Sequence, residues 1–172
     1  MLKRAAASYT KPGPPGGFVI STLILTPTGA AFVQDLTPGD LVLTRDHGAQ
    51  PLRALHRTLS PSRAVTIAPE AIAPGLPWRH LRLAPTQRIA LSGWKATMLF
   101  GVDDALIPVG ALVSDGTILA RTAIGATVTF EIVFDQPQVI YAEGIEVEVA
   151  ARAHATLHLA DSAAFVAPAL PR

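Results

Sequence analysis

The chain has 172 residues, a formal net charge of +1, 49% hydrophobic and 16% charged residues, and no cysteine. Length and apolar content suffice for one domain with a proper core and exclude a disordered chain, and the balanced charge leaves no broad electrostatic footprint for nucleic acid. Lack of cysteine excludes disulfides, thiolate chemistry and Cys-ligated zinc, and no stretch approaches the ~20 apolar residues of a membrane-spanning helix.

In chain order, Met1 to Gly17 reads as a leader, because Lys11-Pro12-Gly13-Pro14-Pro15-Gly16 suits neither a helix nor a central strand. Lys3-Arg4 and three alanines resemble the start of a signal peptide, but Ser8-Tyr9-Thr10-Lys11 interrupts the apolar region it needs, so the cytoplasm is the default compartment. Leu23-Ile24-Leu25 and Ala31-Phe32-Val33, separated by Thr26-Pro27-Thr28-Gly29, predict a hairpin. Pro38-Gly39 predicts a turn, since Pro presets φ and Gly accepts positive φ. Leu41-Val42-Leu43 then reads as a buried strand, closed by a turn at Arg45-Asp46-His47-Gly48. Leu52 to Arg57 alternates loosely, and Val65-Thr66-Ile67 is β-branched and short. Pro69 to Pro77 is a loop with room for one helical turn at Glu70-Ala71-Ile72.

Leu81-Arg82-Leu83 and Ile89-Ala90-Leu91 flank a corner at Pro85, and Ser92-Gly93 opens another turn. Pro108 at a first helical position predicts a short helix over Val109 to Val113. Asp115-Gly116 predicts a hairpin before Thr117-Ile118-Leu119. Val128, Phe130, Ile132 and Phe134 alternate with Thr129, Glu131 and Val133, the cleanest half-buried strand in the chain. Val139 to Ala142 and Ile145 to Val149 follow; Ala150 to Arg172 drops the pattern and reads as a tail with one helical segment at Asp161 to Phe165. With 15 Pro and 13 Gly spread along the chain, the expected fold is mostly β, with short curved strands and few short helices. The expected organisation is a leader over 1–17, a β domain over 18–149 and a tail over 150–172.

Phe18, Thr22-Leu23-Ile24, Thr26-Pro27, Gly29, Asp35-Leu36, Pro38 to Asp46 and Gln50-Pro51 resemble the bacterial Hint (hedgehog/intein) domain of the type called Hint_2. Such domains begin Cys-Phe-Thr-x-Gly-Thr and continue to Pro-Gly-Asp-x-Val-x-Thr-x-Asp. Leu83-Ala84-Pro85-Thr86-Gln87-Arg88 is similar to their Ser-Pro-x-His-Arg segment, and Phe134 to Gly144 to their Asp-x-His-x-(apolar)-x-Ala-Glu-Gly segment. The resemblance implies a compact Hint fold and an activity, cleavage of the domain's own chain. In that chemistry the first Cys attacks the preceding carbonyl, a His (often with a Thr nearby) protonates the leaving amine, and a later His assists resolution. A thiol is a strong nucleophile close to neutral pH, and imidazole can give and take a proton there.

Carried over residue by residue, the first Cys falls at Gly17, which has no nucleophile, and the first His at Gln87, which donates a hydrogen bond but shuttles no proton. The later His falls at Pro137, which lacks even a backbone N–H. Thr86 reads as a turn residue capping its own backbone. Asp135 and Glu143 read as solvated or structural charges at strand ends. Ser21, placed inside the first strand where the family has Gly, adjoins no bond to be cut and has no His nearby in sequence. His47 and His80 read as solvent-facing turn residues, and His56 as part of a polar strand face. His154 and His158 share an i, i+4 spacing, but a metal site needs a third ligand and only Asp161 is close. Trp78 and Trp94 fall in loop-rich segments and read as caps on the core edge.

Two functions follow. One is a degenerate Hint domain, kept as a non-catalytic scaffold or binding module for a protein or peptide partner, with neither cofactor nor metal. The other is an enzyme with residual self-processing. The sequence favours the first, and it specifies neither the partner nor the oligomeric state.

Overall fold

The computed structural model describes residues 17–60, 63–113, 118–122 and 127–151. The expectations for Asp115-Gly116, for Asp161 to Phe165 and for His154 and His158 lie outside these residues. The architecture is mostly β. Its strands, in order, begin with β1 (Phe18–Val19), β2 (Leu23–Thr26), β3 (Gly29–Phe32), β4 (Leu41–Thr44) and β5 (Gly48–Pro51). They continue with β6 (Ala54–Ser60), β7 (Arg63–Ile67), β8 (Leu81–Leu83) and β9 (Arg88–Ser92). After the helix α1 (Trp94–Phe100) come β10 (Asp104–Pro108), β11 (Ile118–Thr122), β12 (Thr127–Phe134), β13 (Gln138–Ala142) and β14 (Ile145–Ala151).

Several local expectations are corrected. Val109–Leu112 forms a 3₁₀ turn with Pro108 as the last residue of β10, not a helix opened by proline. Trp94 opens α1 and is 68% exposed, so it sits in neither a loop nor the core edge. Leu41 is exposed and only Val42 is fully buried, so β4 is half-buried. The expected turn at Arg45 to His47 is present, and the segment after it pairs back on β4 as β5.

The strands form two ladders. In one, β1 is sandwiched between β8 and β12, with Phe18 opposite both Leu83 and Phe130, while β7 pairs with β8 and β11 and β6 runs along β12. In the other, β14 pairs with β13 and β9, and β13 also meets β2 and β4. A short parallel contact joins the ladders, with Val133 opposite Ala150 and Phe134 opposite Ala151. The alternation read from Val128 to Phe134 places Phe130, Ile132 and Phe134 in the core, together with Phe18, Leu83 and Ile140. Burying each such side chain contributes about 1.5–3 kcal/mol. The start of the domain is thereby fixed at the middle of the sheet, not at its rim.

Candidate functional site

Gly17 immediately precedes β1 and is buried. Its carbonyl accepts the N–H of Ala84 at 3.3 Å, and the Ala84 carbonyl accepts the N–H of Gln87 at 2.9 Å. The corner at Pro85 is pinned from the other side as Gly110 donates to the Pro85 carbonyl and Val109 to the Gln87 carbonyl. Gly17 and Gln87 therefore share one corner of the fold. A Cβ at Gly17 would stand 3.3 Å from both the Phe130 carbonyl oxygen and the Thr129 Cβ, so the packing around this glycine is tight. Gln87 is buried, and its Nε2 donates to the Glu148 carbonyl. It braces the Pro85 corner to β14.

The other positions lie further along. Pro137 is exposed between β12 and β13, two residues before Val139, the cross-strand partner of Glu148. Asp135 stands five residues beyond Phe130, about 17 Å along the strand. Its exposed carboxylate bonds Arg53, at 2.7 Å to Nε and 2.6 Å to Nη2. Thr86 is exposed in the turn. The structure thus brings Gly17 and Gln87 together, sets Pro137 near the rung that Gln87 reaches, and leaves Asp135 apart. One imidazole comes close to Pro137: His47 Nδ1 lies 2.8 Å from Oε1 of Gln138, the next residue. Sequence reading left His47 in a solvent-facing turn because its partner is far along the chain.

A second cluster was legible only in fragments. Glu143 and Gly144 form the two-residue turn between β13 and β14, both with positive φ (48° and 84°). Such a turn matches the twist of the strands it joins. Glu143 is 1% exposed. Its backbone N–H donates to the Leu23 carbonyl at 2.9 Å, and its Oε1 accepts the Leu23 N–H at 2.8 Å. The side chain thus extends the β13–β2 ladder beyond the Ala142–Ile24 pair. Arg79 closes on it, with Nε at 3.1 Å from Oε2 and Nη2 at 2.6 Å from Oε1. These bonds push the Arg79 guanidinium above its ordinary pKa. Nη2 also donates to the Ser21 carbonyl at 3.1 Å, and the guanidinium lies over the Phe32 ring, 5.9 Å from its centre.

Ser21 lies in the turn between β1 and β2, not inside a strand, with φ 70°. Its N–H is held by Gln34 Oε1 at 2.9 Å. Ile20, Ser21, Thr22, Arg79, His80 and Arg82 line an open cleft of about 490 Å³. His80 thus lines the same cleft as Ser21 despite their separation in sequence.

The Hint domain family profile matches residues 16–154 of the chain. Among solved structures, the chain is similar to the bacterial intein-like domain from Clostridium thermocellum, with a TM-score of 0.53 and 12% identity over 77% of this chain and 96% of that one. It is also similar to a DnaB intein from Synechocystis sp. PCC 6803, with a TM-score of 0.51 and 14% identity over 78% of this chain and 98% of that one. At these identities the likeness is one of fold. No curated protein matches the chain.

Proposed function

The chain belongs to the Hint domain family, and from that premise we propose that it is a catalytically degenerate member, a non-catalytic scaffold or binding module descended from a self-cleaving ancestor. The observation that carries this reading is the tight packing at Gly17. The Cβ of a nucleophile would stand 3.3 Å from the Phe130 carbonyl oxygen and the Thr129 Cβ, a tight fit that requires these neighbours to give by a few tenths of an ångström. A missing side chain alone is one substitution away from return. A tightly packed glycine requires its neighbours to shift as well.

Gln87 supports the same reading. Its amide is used as a buried structural brace, and an amide does not transfer protons. In this reading the domain spans 18–149, with 1–17 and 150–172 as flanks, and limited proteolysis is the check on those limits.

One observation favours residual self-processing. His47 stands beside Gln138, next to the position of the later His, and could supply a proton there. The experiment that separates the readings is the intact mass of the purified chain after long incubation. A mass that still includes Met1 to Gly16 is the expected result. Release of that leader overturns the non-catalytic reading.

A further inference from the structure

Two energetically costly features converge on the cleft beside Ser21. A non-glycine residue at φ 70° carries strain of order 1 kcal/mol or more. A carboxylate 1% exposed loses its hydration and is tolerated only when paired and hydrogen-bonded. Both features hold the same side chain. Glu143 takes the Nε–Nη2 edge of Arg79, and the Ser21 carbonyl takes the second Nη2 hydrogen. The two N–H groups of Nη1 have no partner among the described residues, and the side chain is 50% exposed. A guanidinium fixed on one edge with the other edge open is preorganised for an acceptor, since its planar fork loses little freedom on binding.

The surroundings indicate which acceptor. Arg82 lies on the exposed face of β8 and has no ion-pair partner among the described residues. Glu143 neutralises Arg79, so Arg82 brings an uncompensated positive charge to the cleft. That charge matches one carboxylate better than a dianionic phosphate. Ile20 is 49% exposed at the rim, and Phe32 under Arg79 is 39% exposed, which supplies apolar surface next to the charge.

We propose that this cleft binds a peptide through a glutamate or aspartate side chain, held by Arg79 and Arg82 with the Ser21 hydroxyl as a third donor, and with a neighbouring apolar side chain on Ile20 and Phe32. The proposal supplies a ligand class for the binding-module reading and rests on it. The site is distinct from the Gly17–Gln87 corner, so the mass assay and a binding assay can fail separately.

The test is titration of the full chain with acetyl-Ala-Leu-Glu-Leu-Ala-amide, with the same peptide carrying Gln for Glu, and with inorganic phosphate, followed by the amide signals of Ile20, Ser21 and Thr22. The Glu peptide should shift these signals saturably at millimolar concentration, and the Gln peptide should bind about tenfold more weakly, the worth of a charge-assisted hydrogen bond. Arg82→Ala should weaken the Glu peptide by a similar factor. Ser21→Gly should raise thermal stability, because glycine accepts the backbone conformation freely, while lowering peptide affinity about fivefold. A purely structural Ser21 would give the first effect without the second, which would remove it from the site. Equal binding of the Glu and Gln peptides, or saturation by phosphate with neither peptide bound, would overturn the proposal. So would an intact chain whose cleft signals do not move with any ligand, a result that leaves the non-catalytic reading standing.

Discussion

The corner at Gly17 and the cleft at Ser21, which Glu143 braces through Arg79, lie four residues apart on one segment of chain, yet they are built in opposite ways. At Gly17 the catalytic side chains implied by family membership are absent and the packing is tight, with Phe130 and Thr129 within 3.3 Å of where a Cβ would be. At Glu143 a buried charge and two left-handed non-glycine residues are retained at a cost in stability. Packing relaxes where a functional group is lost, because voids are unfavourable. Strain and buried charge persist only where the surrounding contacts over-determine them. The cleft thus holds costly features in place by a network of contacts, and the corner holds none.

The largest expected effect tests the closed corner. Gly17→Cys alone should leave the bond after Gly16 nearly uncleaved, because general acid catalysis, worth about 10²–10⁴-fold, is still missing at position 87. Adding Gln87→His should recover part of that rate, and Pro137→His is the most disruptive addition because proline fixes φ. Release of the leader, followed by mass in dithiothreitol, reads each step. A single variant as fast as the double would show that position 87 no longer matters.

Next comes the buried charge. Arg79→Ala should destabilise the domain by about 3 kcal/mol, since it leaves the Glu143 carboxylate inside with only the Leu23 N–H. Urea unfolding measures this, and a change below about 1 kcal/mol would mean the pair behaves like a surface ion pair. Smaller again is the steric cost of refilling the corner. Gly17→Cys should lose about 1–2 kcal/mol of stability, and less than that in a Thr129→Gly background, which lacks the Cβ facing it. Strict additivity of the two substitutions would argue that they do not touch.

The smallest effect belongs to Glu131, which faces His56 across the β6–β12 ladder. Burial raises its pKa, with His56 opposing the shift. A raised acid is favoured in its neutral form, so its contribution is fully present below the ordinary Glu value and is lost as pH rises through the folded value. Glu131→Gln should therefore stabilise the protein slightly near pH 7 and be neutral near pH 3. Stabilisation that is equal at both pH values would assign the effect to packing.

Much of the fold was legible because its signals are local. The period-2 run ending at Phe134, the Pro27–Gly29 turn and the Pro38-Gly39 turn all report on neighbouring residues. Helix α1 was not legible. Seven residues give too little periodicity, and its N-cap is Gly93, which offers no side-chain hydrogen bond. Strand β5 exists through its pairing with β4 and has little strand propensity of its own. The positions Gly17, Gln87 and Pro137 were readable from colinear motifs, but the tight packing at Gly17 was not, since it depends on a strand more than a hundred positions away. Glu143 looked like an ordinary charge at a strand end because its partners, Leu23 and Arg79, are remote in sequence.

The placement of β1 also sets an order of events. Phe18 has its cross-strand partners at Leu83 and Phe130. During synthesis the first strand of the domain therefore has nothing to pair with until β8 has been made, and its place between two strands is complete only once β12 follows. Such distant pairings close late and slowly, because the loop must be ordered before any contact forms. In a self-cutting relative with the same topology, this delay would act as a timer: the cutting position is assembled only when the rest of the domain already exists. The present chain has the same late-closing arrangement of β1.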